Sequence, residues 1–107
     1  MKLNNIKDFT RGWFIGNFEP SLIKTNDVEV AYKEYKTGDK EAKHFHKIAT
    51  EITVIISGEV SMNDVLFTTG DVITTKPGEV VEFKCLADTK TMVVKYPGAS
   101  DDKYEVE

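Results

Sequence analysis

Short stretches in which apolar and polar residues alternate follow one another along most of the chain. Such alternation, with a period of two, is typical of β-strands, whose successive side chains point to opposite faces of a sheet. The predicted strands cover residues 28–35, 43–47, 52–57, 59–62, 65–68, 72–75, 80–86 and 90–96. Turn-forming residues separate them, and no amphipathic helical pattern of useful length occurs. These features predict an all-β sandwich or barrel of antiparallel strands.

The pattern divides the chain into three parts. Residues 1–27 have little sustained period and are interpreted as an N-terminal arm, residues 28–97 as the β-barrel, and residues 98–107 as a solvated acidic tail. We expect much of the barrel interior to be filled by seven aliphatic residues: Ile52, Val54, Ile56, Val72, Val80, Val93 and Val94.

The arm is rich in aromatic residues, which include Trp13, Phe14 and Phe18. Rings of this size require an apolar surface to cover them. That surface is either the chain's own barrel or a partner subunit, and lining a ligand site is a third possibility. We predict a homodimer assembled partly through the arm, because a symmetric dimer is the commonest oligomer.

Composition narrows the choice of partners. A length of 107 residues, with 40% hydrophobic and 30% charged residues, is typical of a single globular domain. The net charge of -4 and the absence of a Lys/Arg cluster argue against binding to nucleic acid or to an anionic membrane. Cys85 is the single cysteine, so no intrachain disulfide forms, and we expect a cytoplasmic location.

The candidate chemistry lies around the two histidines. His44 and His46 are one residue apart, so strand alternation places both imidazoles on one face. Glu51 begins the β-prone run that follows. Two imidazoles and a carboxylate form a typical ligand set for a transition metal.

The spacing of these residues resembles the first sequence motif of the cupins. Gly38, His44, His46, Glu51 and Gly58 match every defined position of that motif. The resemblance implies the cupin double-stranded β-helix, a jelly-roll barrel of antiparallel strands. It also implies that the two histidines and the glutamate hold a divalent transition metal such as Fe, Mn, Ni or Zn.

The second cupin motif is degenerate. Gly70 and Gly78 keep their places, whereas Lys76 replaces a proline, Val81 replaces the third metal-binding histidine and Cys85 replaces an asparagine. The three surviving ligands still correspond to the set that binds non-haem iron(II).

Parity with Glu51 predicts the wall of the cavity. Thr53 and Ile55 then point inward, and Val81 and Phe83 face them from another strand. Either Tyr32 or Tyr35 joins them, depending on which face of the first barrel strand is turned inward.

Several functions are compatible with this pattern. One is an enzyme that acts on a small polar molecule through a metal held by His44, His46 and Glu51. Another is a metal-free site, either an isomerase or epimerase that uses the histidines as acid and base or a binding module without turnover. A purely structural role of the histidines is also open. The segments RGWFIGNFEPSL and HFHK resemble short cupins associated with surface polysaccharides, which favours a sugar-like ligand.

Overall fold

The protein folds into two antiparallel β-sheets that face each other. The structure, a computed structural model, describes residues 1–106. Within them the chain forms ten strands: β1 (Trp13–Ile15), β2 (Glu29–Tyr35), β3 (Lys40–Phe45), β4 (Thr50–Ser57), β5 (Glu59–Met62), β6 (Val65–Thr68), β7 (Val72–Thr75), β8 (Val81–Cys85), β9 (Thr89–Tyr96) and β10 (Tyr104–Glu105). The helical segments of this range are two 3₁₀ turns, Ile6–Asp8 and Thr10–Gly12, and it contains no helix long and apolar enough to cross a membrane.

Each sheet has five strands. The first sheet has the order β1-β2-β9-β4-β7, and the second has the order β10-β3-β8-β5-β6. The bounds of β2 and of β4 to β9 lie within two residues of those predicted from the alternation, and β3 begins earlier than predicted. The fold is therefore the double-stranded β-helix that the first motif implies.

The core lies between the sheets and is small. Its buried members are Ile55, Val60, Met62, Phe83 and Cys85. Because Cys85 is completely buried, burial raises the pKa of its thiol to about 11. Cys85 is thus an inert core residue near neutral pH.

Of the seven aliphatic residues expected in the interior, Val93 is buried, Ile52, Val54 and Val94 are half-buried on the outer face, and three others are exposed. The exposed fraction is 41% for Ile56, 61% for Val72 and 40% for Val80. Strand pairing explains this correction, because β4 places Thr53 opposite Val93 and so turns its odd-numbered residues inward. The even-numbered residues of β4 form an outer sheet face that is also apolar.

The N-terminal arm packs on its own chain. Strand β1 pairs with β2, and Trp13 lies opposite Ala31. Gly12 permits this approach, since a Cβ atom there would lie 1.9 Å from the carbonyl oxygen of Tyr32. Phe14 packs edge-on against Phe9. The arm thus extends the first sheet and does not stand apart from the barrel.

The segment predicted to be a solvated acidic tail is part of the fold. Tyr104–Glu105 forms β10, which pairs with β3, and Tyr104 stacks on Phe45 with ring centroids 5.4 Å apart. Asp102 is buried. The expectation is therefore corrected for residues 98–106, and Glu107 lies outside the described residues. The polar composition of the segment suggested a solvated tail, because only Asp102 and Tyr104 make its main contacts and the residues around them are mostly polar.

Candidate functional site

Both histidines line a cavity between the two sheets. His44 belongs to β3, and His46 lies in the loop that follows. Only 6% of His44 and 4% of His46 are exposed. Their ring centroids are 5.5 Å apart and the ring planes are nearly perpendicular. The alternation of the strand thus continues far enough to place both imidazoles on the inner face.

The loop that carries His46 is fixed from two directions. The buried carboxylate of Asp102 accepts hydrogen bonds from the backbone N–H groups of Lys47, Ile48 and Ala49, at 3.0, 3.0 and 2.9 Å. From the second-motif turn, the N–H of Gly78 donates to the carbonyl oxygen of His46 at 2.7 Å. The imidazole is therefore held by backbone contacts that are remote in sequence.

These hydrogen bonds also set the charge of Asp102. Burial alone raises the pKa of its carboxyl group, but the three backbone N–H donors favour the charged form, and the net pKa is below its usual value. Asp102 is thus an anion at neutral pH, and its role is to position the loop.

His46 faces Glu51 across the cavity. The distance from His46 Nε2 to Glu51 Oε2 is 3.5 Å, and Nε2 is buried without a hydrogen-bond partner among the described residues. Burial lowers the pKa of His46 to about 4, and the positive charge of Lys95 acts in the same direction. Burial raises the pKa of Glu51. The pair therefore consists of a neutral imidazole and a carboxyl group whose charge is poorly solvated.

His44 has a defined tautomer. Its Nδ1 lies 2.9 Å from the carbonyl oxygen of Ala42, which can only accept a hydrogen bond. The proton of the neutral ring is thus on Nδ1, and the lone pair is on Nε2. A hydrogen bond of this kind to a backbone carbonyl is typical of histidines that bind a metal through the other nitrogen.

The donor types fit a divalent transition metal, but their present arrangement is incomplete. The unpartnered Nε2 of His46, the carboxylate of Glu51 and the lone pair of His44 are suitable ligands. However, no three His, Cys, Asp or Glu side chains within residues 1–106 lie close enough together to hold a metal ion. Of the three candidate ligands, His46 and Glu51 lie within 3.5 Å of each other, and the ring of His44 is next to that of His46.

The cavity has a narrow inner part and a wide mouth. The inner part has a volume of about 20 Å³, which is room for about one water molecule. The mouth has a volume of about 510 Å³. Tyr35, Thr53, Val81 and Phe83 line the inner part together with the site residues. Val81 lies opposite His44 in the pairing of β3 with β8, on the same face.

Two predicted cavity residues lie elsewhere. Tyr32 is on the outer face of the first sheet, where its hydroxyl group donates to Glu34 at 2.8 Å. The inward parity of β2 is that of Tyr35, which excludes Tyr32 from the wall. Ile55 points inward but is completely buried in the core and does not line the cavity.

The mouth contains four residues that were not predicted from the sequence. Lys33, Glu41 and Lys95 line it beside Trp13, and Asp102 supports it. The sequence contained a sign of the two lysines, because Lys33 on β2 and Lys95 on β9 share the parity of the inward residues of their strands. Asp102 had no such signal, because only the tertiary fold places it under the loop.

Comparisons with known proteins give matches at the level of structure. No family model matches the sequence, and no curated protein matches it. An uncharacterised conserved protein with a double-stranded β-helix domain from Klebsiella pneumoniae superposes with a TM-score of 0.73. Its sequence is 23% identical, and the match covers 99% of this chain and 92% of the other.

Two further solved structures are similar over the barrel. KdgF from Halomonas sp. matches with a TM-score of 0.64 and 17% identity, over 72% of this chain and 76% of its own. The nucleoside dehydratase Pac13 from Streptomyces matches with a TM-score of 0.66 and 16% identity, over 78% of this chain and 71% of its own. An RmlC-like cupin from Shewanella frigidimarina is also similar. The chain therefore has the double-stranded β-helix fold of the cupins.

Proposed function

We propose that the protein binds a small polar, sugar-like molecule in the mouth of the barrel and acts on it through a divalent metal held by His44, His46 and Glu51. The observation that carries the proposal is the buried, unpartnered Nε2 of His46, 3.5 Å from the Glu51 carboxylate. A buried nitrogen without a partner is costly for the fold, and such an atom is often explained by a ligand.

A cation satisfies both members of this pair. His46 is neutral near pH 7, because burial lowers its pKa to about 4, so protonation of His46 does not neutralise the Glu51 carboxylate. The neutral imidazole of His46 would give its lone pair to a divalent ion, and the carboxylate of Glu51 would be neutralised by the same ion. The hydrogen bond from His44 to Ala42 leaves a second nitrogen lone pair for the same purpose.

Each residue of the site would have a separate role in metal binding or in shielding the cavity. His46 and Glu51 would be the first two ligands and His44 the third. A metal bound there supplies Lewis-acid polarisation of an oxygen atom or activation of water or dioxygen. The apolar side chains of Val81 and Phe83 would exclude bulk water from the inner part of the cavity.

The mouth is large enough for a monosaccharide or a nucleoside. Its volume of about 510 Å³ falls in the range of small-molecule sites. Pac13, whose fold is similar, is a nucleoside dehydratase, and structures of its variants contain uridine. This likeness supports a ligand with a sugar ring, whether the protein converts the ligand or only binds it.

A metal-free site is the second candidate. It is favoured by the absence, within residues 1–106, of three donors gathered for a metal. Since burial raises the pKa of Glu51, its carboxyl group is suited to hold and donate a proton, while the neutral imidazole of His46 offers a hydrogen-bond acceptor to the ligand. An isomerase or epimerase would use the pair in this way.

Calorimetric titration with Mn²⁺ or Ni²⁺ tests the proposal. We expect wild-type protein to bind about one ion per chain, and His46→Gln and Glu51→Gln to bind at least about tenfold more weakly. The matched control is Glu82→Gln, because this carboxylate lies on β8 but points outward toward Lys43. If wild type binds no ion, or if all variants bind equally, the metal proposal is rejected and the metal-free candidate takes its place.

A further inference from the structure

The mouth of the barrel contains two lysines that converge on one tryptophan ring. Lys33 Nζ lies 5.2 Å from the ring centroid of Trp13, and Lys95 Nζ lies 4.9 Å from it. The three residues come from neighbouring strands, namely β2, β9 and β1. Trp13 is the only tryptophan of the chain. The arm that supplies it therefore forms a wall of the cavity.

Neither ammonium group has a carboxylate partner in the described part of the chain. The ion pairs found there involve Lys24, Lys43, Lys103 and His46. Lys33 makes only a long hydrogen bond of 3.4 Å to the carbonyl oxygen of Arg11. A tryptophan face attracts a cation but neutralises no charge. Two like charges thus share one ring, and neither makes an ion pair with a carboxylate of the described residues.

Nearby acids do not fill this role. Glu29 and Glu51 flank Lys95 in the strand pairing, yet neither forms an ion pair with it. Glu41, which also lines the mouth, pairs with Lys103 at 3.9 Å. Asp102 is occupied by its three backbone N–H donors. Among the described residues, the two ammonium groups at Trp13 therefore have no carboxylate within ion-pair distance, although several acids also line the mouth.

We infer that Lys33, Lys95 and Trp13 form a subsite for an anionic group, a carboxylate or a phosphate, of the molecule bound in the barrel. The inference rests on the proposed function, because Lys95 lies beside Glu51 in the sheet and both line the same mouth. An anion at this place neutralises the two ammonium groups and makes charge-assisted hydrogen bonds with them. It fixes one end of the ligand while the remainder reaches His46.

Because Trp13 is the only tryptophan, its fluorescence reports on this subsite directly. The probes are sodium phosphate and sodium acetate, titrated at constant ionic strength against chloride. We expect a saturable change in Trp13 emission with at least one of them. The probe that saturates at the lower concentration identifies the group as a phosphate or as a carboxylate.

Substitutions assign the response to the lysines. The double variant with Lys33→Met and Lys95→Met keeps the apolar side-chain stems and removes the charges, and we expect affinity for the anion to fall at least about tenfold. The double variant with Lys33→Arg and Lys95→Arg should keep the response, which separates loss of charge from misfolding. Lys90→Met, an exposed change on β9, is the control and should bind like wild type.

Two results would overturn the subsite. One is the absence of a saturable response to both probes up to about 100 mM, since binding weaker than this amounts to less than about 1.4 kcal/mol. The other is an equal response in wild type and in the methionine double variant. His46→Gln separates the two proposals, because it should lose metal binding and keep the anion response.

Discussion

At the scale of single residues, Val81 occupies the place where a further imidazole would complete the site. It lies opposite His44 in the pairing of β3 with β8 and lines the same cavity. We expect Val81→His to raise the affinity for Mn²⁺ or Ni²⁺ at least about tenfold, because it adds a fourth protein ligand. Calorimetric titration measures the change.

The neighbouring Val80→His is the matched control. Val80 is 40% exposed, so a histidine there should leave the metal affinity unchanged. An affinity of Val81→His equal to that of wild type would show that position 81 is not a ligand position. The correspondence with the second cupin motif would then be wrong.

The sequence predicts that His44, His46 and Glu51 share a site, but not the state of each side chain. The structure places all three on the wall of one cavity, with His46 and Glu51 3.5 Å apart, and their role as a site stays a prediction. The orphaned nitrogen of His46 could not be predicted. It results from contacts with Asp102 and Gly78, which are remote in the chain.

At the scale of elements, the C-terminal segment supports the loop of His46. We expect Asp102→Ala to destabilise the fold by about 2–4 kcal/mol, because it leaves the three N–H groups of residues 47–49 without their charged acceptor. Urea unfolding at neutral pH measures the loss. The neighbouring exposed substitution Asp101→Ala should cost much less and serves as the control.

The same carboxylate predicts a dependence on pH. Since its pKa is lower in the folded protein than in the unfolded chain, its contribution is fully present above the unfolded pKa and is lost as the pH falls through the folded pKa. The difference in stability between wild type and Asp102→Ala should therefore shrink below about pH 4. A difference that stays constant down to pH 2 would contradict this role of Asp102.

Alternation predicted the bounds of the strands well, but it did not predict which side chains point toward the interior. Strand β4 has apolar residues on both faces, so its pattern could not decide whether Ile55 or Ile56 points inward. Its pairing with β9 decides this, and only the tertiary structure contains that pairing. The choice between Tyr32 and Tyr35 on β2 has the same origin.

At the scale of the whole molecule, the first sheet has an apolar outer face. Strand pairing and alternation place seven aliphatic or thioether side chains on it: Val30, Ile52, Val54, Ile56, Val72, Met92 and Val94. Glu34 and Lys90 lie opposite each other near one end of this face. The sequence predicts a homodimer assembled partly through the N-terminal arm. Because the arm packs on its own chain, we propose this sheet face as the surface that a second copy covers.

Light scattering at about 100 µM tests the dimer, since a micromolar dimer is largely formed at that concentration. We expect twice the chain mass of 12.1 kDa for wild type and the chain mass for Val54→Lys, which places a charge in the middle of the face. Lys84→Glu, an exposed change on the second sheet, is the control. A wild-type monomer at this concentration would refute the dimer.

The central claim is that the barrel holds a metal between His46 and Glu51, with His44 as the third ligand. Elemental analysis tests it most directly, on protein purified without an affinity tag and then incubated with iron, manganese, nickel or zinc. We predict about one transition-metal ion per chain for wild type and less than about a tenth of that for His46→Gln. Wild-type protein that holds no metal after incubation, or a His46→Gln variant that holds as much as wild type, would contradict the claim.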